Sequence, residues 1–491
     1  MLKKKYNLNK LPYLDILIYS IVIFLFNLTP VLDIALAFII AICFLRADII
    51  GLLSGYIFFA FFDDAIHFEL LGGSLSRLLM VIIFLKLLYL ILKEKSKPEK
   101  KEIIIFSFIG FQIMFSILIG TFSSGDIIIA VNILLFLMFS IVGKKERESI
   151  ENTLKKLLIY IVAGVFIAII YGLLKFNFLY EETGTLQVYR FSGTYEPNFM
   201  GMYINMAIII ILFSERLNKY IKALALVALV GTLGMTLSVT GVIVACIIFF
   251  IYIIKKGEFL KRIGYILGIG ISSLLLFGMS QYVFNVVNTM KLNNDVQMEE
   301  GTEEVVEQTI PEEAISMDDE QANTDINNTQ QQIEKVENDT QEITVDVIED
   351  NTAIKRGKSL IENFKEGDFD TLTSGRLPIY KSFLKASFSR NMKEVMFGNG
   401  LSDEQLYCDF FGREKEAHNS YLNCLYNFGI IGFILIVIGI VIVMKRNSFF
   451  NMNLQNTKYE KIVRMLRIMF LIYAVVLSLY TKKMVLVFFL I

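Results

Sequence analysis

Hydrophobic residues fall in long unbroken blocks rather than at alternating or every third to fourth positions. Apolar stretches run over 12–29, 31–45, 48–62, 75–92, 103–121, 127–142, 157–174, 198–213, 223–238, 240–254, 263–282, 421–444 and 468–480, with a short tail at 484–491. Nearly uncharged blocks of this length ask for bilayer rather than a folded core. Backbone polar groups in hydrocarbon must be satisfied within their own segment, so each block is predicted to be a helix. The expected fold class is an all-α polytopic membrane protein with 13–14 transmembrane helices. At 1.5 Å per residue, 484–491 cannot cross about 30 Å of hydrocarbon and would form at most a half-helix. The basic start, MLKKKYNLNK, leads into its apolar block with no small-residue cleavage site, so that block reads as a retained span.

Composition agrees. Of 491 residues, 55% are hydrophobic and 19% charged, against about 25% charged in soluble domains. Soluble enzyme, disordered scaffold and disulfide framework are excluded. The four cysteines (Cys43, Cys246, Cys408, Cys424) show no metal spacing.

Charge changes the picture. The net value is −1, yet residues 293–352 hold 19 Asp or Glu against one Lys, a local −18. The other residues therefore carry +17. With the N-terminus inside and every block crossing, inside connections collect 28 Lys or Arg and short outside connections only Lys175, Arg190, Lys482 and Lys483. That asymmetry places the N-terminus on the inner, cytoplasmic side of the membrane. Three organisational parts follow: helices 1–11 with short loops (1–282), one large extracytoplasmic loop between the eleventh and twelfth spans (283–420), and the C-terminal helices (421–491). Within the loop, 293–352 is too polar and like-charged to bury a core and is expected to be disordered. Residues 355–420 are expected to be partly helical and to bear the site. There Leu377, Tyr380, Phe383, Leu384 and Phe388 recur at helical spacing, suiting a helix on the bilayer surface or packed on protein.

Few residues offer chemistry. VYRFSGTYEPN, just before a span, contains Arg190, with Gly193 and Pro197 at a bend and Asn198 placed to cap the next helix. Arg190 either pairs with lipid phosphate or offers a planar fork to a phosphate-bearing substrate. Arg376 follows a glycine in SGRLPIYK, FGNG (397–400) reads as a tight turn, and His418 stands at the mouth of the twelfth span, where it can accept a proton or contact an anion. The FDDAIHFE turn gathers Asp63, Asp64, His67 and Glu69, which either hold a divalent metal or keep an outer loop free of positive charge. Lys86, inside the fourth block, is expected to snorkel towards the inner face. No P-loop, dinucleotide turn, zinc spacing or basic–aromatic nucleic-acid surface stands out, so no cofactor, metal or nucleic acid is expected.

The order YRFSGTYEPNFMG, an outer turn between two spans, then SGRLPIYK, FGNG and EAHNSYLNCLYNFGIIG before a span resembles the O-antigen polymerase and O-antigen ligase superfamily. The motifs cover about 40 residues, the topology the whole chain. The resemblance implies a glycosyltransferase that moves glycan from undecaprenyl pyrophosphate on the outer face of the plasma membrane, metal-independent and inverting. It implies Arg190, Arg376 and His418 as catalytic residues, and Asn198, Ser238, Thr240, Asn419 and Tyr421 as substrate-binding ones. Where many members carry a Ser-Arg or Ser-Lys pair, this chain reads LSVTG, leaving Ser238 and Thr240 without a cation. The acidic segment stands as an insertion. A Lys- and Ile-rich, Trp-free composition points to a polymerase of capsular or other surface polysaccharide rather than a lipid A ligase. Expected partners are the lipid-linked glycan, membrane lipids, a flippase and a chain-length regulator. A ligase, a metal-dependent lipid-phosphate-sugar glycosyltransferase using Asp63 or Asp64, and a lipid-linked oligosaccharide flippase are the alternatives.

Overall fold

The computed structural model describes residues 13–278, 376–446 and 459–479, apart from short gaps (64, 69–72, 96, 99, 120–123, 144–149, 184–185, 195, 216, 255–258, 277, 401–404, 409–411 and 478). The acidic segment 293–352 and the tail 484–491 lie outside the described residues. Nearly everything described belongs to one unit, built from Met1–Glu182, Tyr189–Phe277 and Thr373–Ile491. The second unit, Thr183–Val188 with Gly278–Leu372, lies almost wholly outside the described residues.

Each predicted apolar block carries a helix. They are α1 (Leu14–Leu25), α2 (Pro30–Arg46), α3 (Ile49–Ala60), α4 (Leu75–Glu94), α5 (Lys100–Ile119), α6 (Ser124–Gly143), α7 (Ile150–Leu174), α8 (Pro197–Phe213), α9 (Lys219–Met235), α10 (Val239–Ile254) and α11 (Phe259–Leu276). After the large loop's first part come α12 (Arg376–Phe388), α13 (Met392–Phe397), α14 (Ser420–Arg446) and α15 (Glu460–Tyr473). Among the described residues three helical stretches are long and apolar enough to cross a membrane: 152–174, 259–276 and 420–441. Helices α1 and α3, at 12 residues, reach only about 18 Å. Large apolar side chains on α2, α5 and α11 stay open, with Phe38 68%, Leu118 75% and Leu274 70% exposed. A helical membrane protein is compatible with that surface.

Helices α3 and α8 form the centre, and nearly every residue of each is buried. Helix α3 packs on α7, while α8 packs on α7, α9, α10 and α15. Ring contacts thicken this core: Phe61 meets Tyr203 edge-on at 4.8 Å between centroids, and Phe58 meets Tyr160 at 6.3 Å. Lys86 does not simply reach for water. Its amine donates to the Phe44 and Leu45 carbonyls at 3.0 and 2.9 Å and also to that of Ala47, capping the C-terminal end of α2.

Two expectations change. The fold is not purely helical, because among the described residues three antiparallel hairpins stand in the connecting segments: β1 (His67–Phe68) with β2 (Gly73–Ser74), β3 (Phe178–Thr183) with β4 (Leu186–Phe191), and β5 (Gln405–Cys408) with β6 (Arg413–Glu416). Loop backbone must also find partners, and a short hairpin supplies them. The last helix is displaced as well, ending at Tyr473 rather than 480, with Arg467 buried. Residues after Tyr473 turn back instead, and their carbonyls serve the start of α14: Ser420 N–H donates to Ala474 O at 2.8 Å and its hydroxyl to Leu477 O at 2.6 Å.

Candidate active site

Arg190 is the penultimate residue of β4. The hairpin is seated by Phe178 against Phe191 (5.5 Å, edge-on) and by Ser192, whose N–H and hydroxyl both donate to the Asn177 carbonyl. The chain then turns at Gly193, whose positive φ of 62° favours glycine. A Cβ on Gly172 would lie 2.5 Å from the Gly193 Cα, so α7 and this turn touch backbone to backbone. Pro197 opens α8.

Here Arg190, Asn198 and Ser238 meet. Arg190 is only 6% exposed. Its Nε donates to the Thr236 carbonyl at 3.1 Å and one terminal nitrogen to Asn198 Oδ1 at 3.0 Å. Ser238 Oγ donates to the same Oδ1 at 3.1 Å and accepts from Gly241 N–H at 3.2 Å, which makes Ser238 the cap of α10. The Asn198 amide nitrogen points the other way, to Glu196 Oε1 at 2.9 Å. Asn198 therefore does not cap α8; Glu196 holds the capping position without a side-chain bond. Glycines on two helices admit Ser238, since a Cβ on Gly201 or on Gly241 would lie 3.2 Å from its Cβ. Thr240 lies in the first turn of α10, half-buried. Glu196 and the Thr236 carbonyl were not foreseen. The spacing E-P-N was their one signal, while a backbone acceptor leaves none.

A second group forms where the large loop returns. Arg376 begins α12, and one turn on the Tyr380 hydroxyl donates to Val475 O at 2.7 Å. Burial pushes the Tyr380 hydroxyl's pKa up, with Arg376 opposing. Asn419 caps α14, its Oδ1 accepting from the N–H groups of Tyr421 (2.9 Å) and Leu422 (3.1 Å). Tyr421 ties α14 to α15 through Leu471 O at 3.0 Å. His418 turns outward with φ of +44°, half-exposed, its Nδ1 3.9 Å from Glu416 Oε2. The buried face of α12 carries Ile379, Phe383 and Ser387, with Phe383 edge-on to Tyr426 at 5.6 Å. Leu384 and Phe388, expected on that face, are 41% and 57% exposed.

FGNG is the fastener of this part. Helix α14 breaks at Gly429 (φ +63°), and the Tyr426 and Asn427 carbonyls accept from Asn399 and Gly400 N–H at 3.1 and 2.9 Å. Arg390 adds a bond to the Tyr426 carbonyl at 3.2 Å and stacks over that ring at 3.9 Å.

The two groups are connected. Asn205, two turns below Asn198 on α8, donates to the Gly241 carbonyl at 2.8 Å and to the Tyr473 hydroxyl at 2.7 Å. The residues directly after Tyr473 hold Tyr380 and Ser420. Of the FDDAIHFE residues, Asp64 and Glu69 lie outside the described residues, and among the described residues no group of three His, Cys, Asp or Glu gathers as metal ligands. No protein-family model, no curated protein and no solved structure matches this chain.

Proposed function

We propose that the chain is a plasma-membrane glycan polymerase that joins undecaprenyl-pyrophosphate-linked repeat units into surface polysaccharide on the outer face. This reading takes all thirteen blocks as crossings, with the N-terminus in the cytoplasm and 283–420 outside. The observation that carries it is the convergence of Arg190, Asn198 and Ser238, three residues named from motifs up to 48 positions apart, into one hydrogen-bonded group. A main-chain carbonyl and a neutral amide fix the orientation of the Arg190 guanidinium.

In this mechanism Arg190 and Arg376 hold the donor's pyrophosphate and stabilise the charge that builds as the glycosidic bond breaks. His418, at the half-exposed mouth of α14, contacts the acceptor hydroxyl or the departing phosphate. Cleavage of the bond to pyrophosphate supplies the driving force, so no nucleotide is required.

The test uses purified full-length protein, lipid-linked repeat units and EDTA, with products resolved as a ladder. Arg376→Ala and His418→Ala should each lower chain formation at least tenfold, about 1.4 kcal/mol in the barrier, while single repeat units accumulate on the carrier. Normal ladders from both variants would remove the second group from the site. Complete dependence on divalent metal would favour the Asp63/Asp64 reading instead.

A further inference from the structure

The helices α8 to α11 pass back and forth between two ends. The hydrogen bonds around Arg190 put the start of α8, the end of α9 and the start of α10 together at one end. The other ends of these helices meet about 26 Å away, the length of the 17-residue α8. There Phe213, Ser214, Lys219, Lys222, Tyr252 and Lys261 wall a cavity of about 550 Å³.

Charge and shape both speak for a ligand. Among the described residues the wall carries four cations, Lys219, Lys222, Lys261 and Arg262, against one carboxylate, Glu215. The cations are held in place: Lys222 donates to the Ser214 carbonyl at 2.9 Å, Lys219 lies 4.9 Å over the Tyr220 ring, and Arg262 lies 5.3 Å over the Tyr252 ring while donating to its carbonyl at 3.3 Å. Phe213 meets Tyr252 edge-on at 5.8 Å, giving the cavity a rigid aromatic side. The Tyr265 hydroxyl at the wall is enclosed and, among the described residues, meets no hydrogen-bond partner. A bare phosphate is far smaller than this space, and it has no use for Leu212, Leu217 and the rings that also line it.

We propose that this cavity binds the phosphate-bearing headgroup of an anionic membrane lipid, with the cations and Tyr265 on the phosphate and the apolar wall against the glycerol and first acyl carbons. It is a second site, at the end of the helix pack away from Arg190. Clusters of Lys and Arg at a membrane boundary attract anionic headgroups, each basic residue contributing about fivefold in binding. The inference rests on α8 to α11 spanning a bilayer and on nothing in the proposed chemistry.

The experiment back-titrates delipidated full-length protein, held in phosphatidylcholine nanodiscs, with phosphatidylglycerol and reads retained lipid by native mass spectrometry. The wild type should retain phosphatidylglycerol over phosphatidylcholine by about tenfold or more, and the double variant Lys219→Gln, Lys261→Gln should lose about that factor. Equal retention of both lipids by the wild type, or an unchanged preference in a folded double variant, overturns the proposal. Displacement of the lipid by millimolar inorganic phosphate would identify a soluble anion as the ligand and overturn it equally. Should the double variant misfold, a photo-crosslinking residue in place of Leu217 decides: capture of phosphatidylglycerol supports the site, and capture of phosphatidylcholine alone sinks it. Because the readout is lipid mass and not polymer, a failed polymerase assay leaves this result standing, and the reverse holds too.

Discussion

Replacing Gly398 with alanine would pull the returning loop off α14. Gly398 sits at φ +85°, ψ −168°, a conformation open essentially to glycine, which costs a side-chain residue about 1–3 kcal/mol. A Cβ there would stand 2.1 Å from the Asn427 carbonyl oxygen and 2.5 Å from Gly429 N, both backbone atoms that no rotamer change can move. Relief requires the 398–400 strand to back away, which breaks Asn399 N–H to Tyr426 O and Gly400 N–H to Asn427 O. Each bond contributes about 1 kcal/mol net, more where an acceptor stays buried. The total comes to about 3–5 kcal/mol, to be set against a whole-protein stability of about 5–15 kcal/mol. Hydrogen exchange on the full-length protein in detergent micelles reads it directly. The Asn399 and Gly400 amides should exchange at least about 100-fold faster, the equivalent of about 3 kcal/mol. Gly412→Ala is the control: it has a positive φ of 60° but open space around the new Cβ, so it should leave those two amides untouched. Unchanged protection at 399 and 400 in Gly398→Ala would refute the backbone-to-backbone docking.

Other substitutions probe separate joints. Lys86→Met should unfold more easily, because three carbonyls at the end of α2 lose their charged donor, a loss of about 1.5–3 kcal/mol that denaturant unfolding of the purified protein reads. Ser238→Ala removes a helix cap and one bond to Asn198, an expected loss of about 1–2 kcal/mol in thermal unfolding. Arg190→Lys keeps the charge but cannot serve the Thr236 carbonyl and Asn198 together in the fork geometry; chain formation in the ladder assay should fall about tenfold with normal protein level.

The helices were legible because hydrocarbon leaves one solution for a continuous apolar block, whatever its neighbours. The hairpins were not. FLYEETGTLQVYRF carries turn residues and alternation, but only six residues per strand, too few to outweigh the apolar pattern around them. For the site, motif order picked out Arg190, Asn198 and Ser238, and the fold joins them. It did not reveal Thr236, whose contribution is a carbonyl that any residue would carry. Nor did it reveal the tie from Tyr380 to Val475, which depends on α15 stopping short. Asn198 was expected as a cap from its place after Pro197. The amide instead bridges a cation and a carboxylate, a choice set by tertiary neighbours.

The turn that follows Tyr473 gives the molecule an order of completion. Ser420 and Tyr380 are held by backbone atoms 54 to 95 residues further along the chain. During synthesis the loop, α12 and α14 all leave the ribosome before the segment that grips them exists. A nascent chain that has already formed α14 therefore still lacks the bonds from residues 474–479 that seat Tyr380 and Ser420. The packing of α12 against the start of α14 is therefore completed only once residues 474–479 have been made.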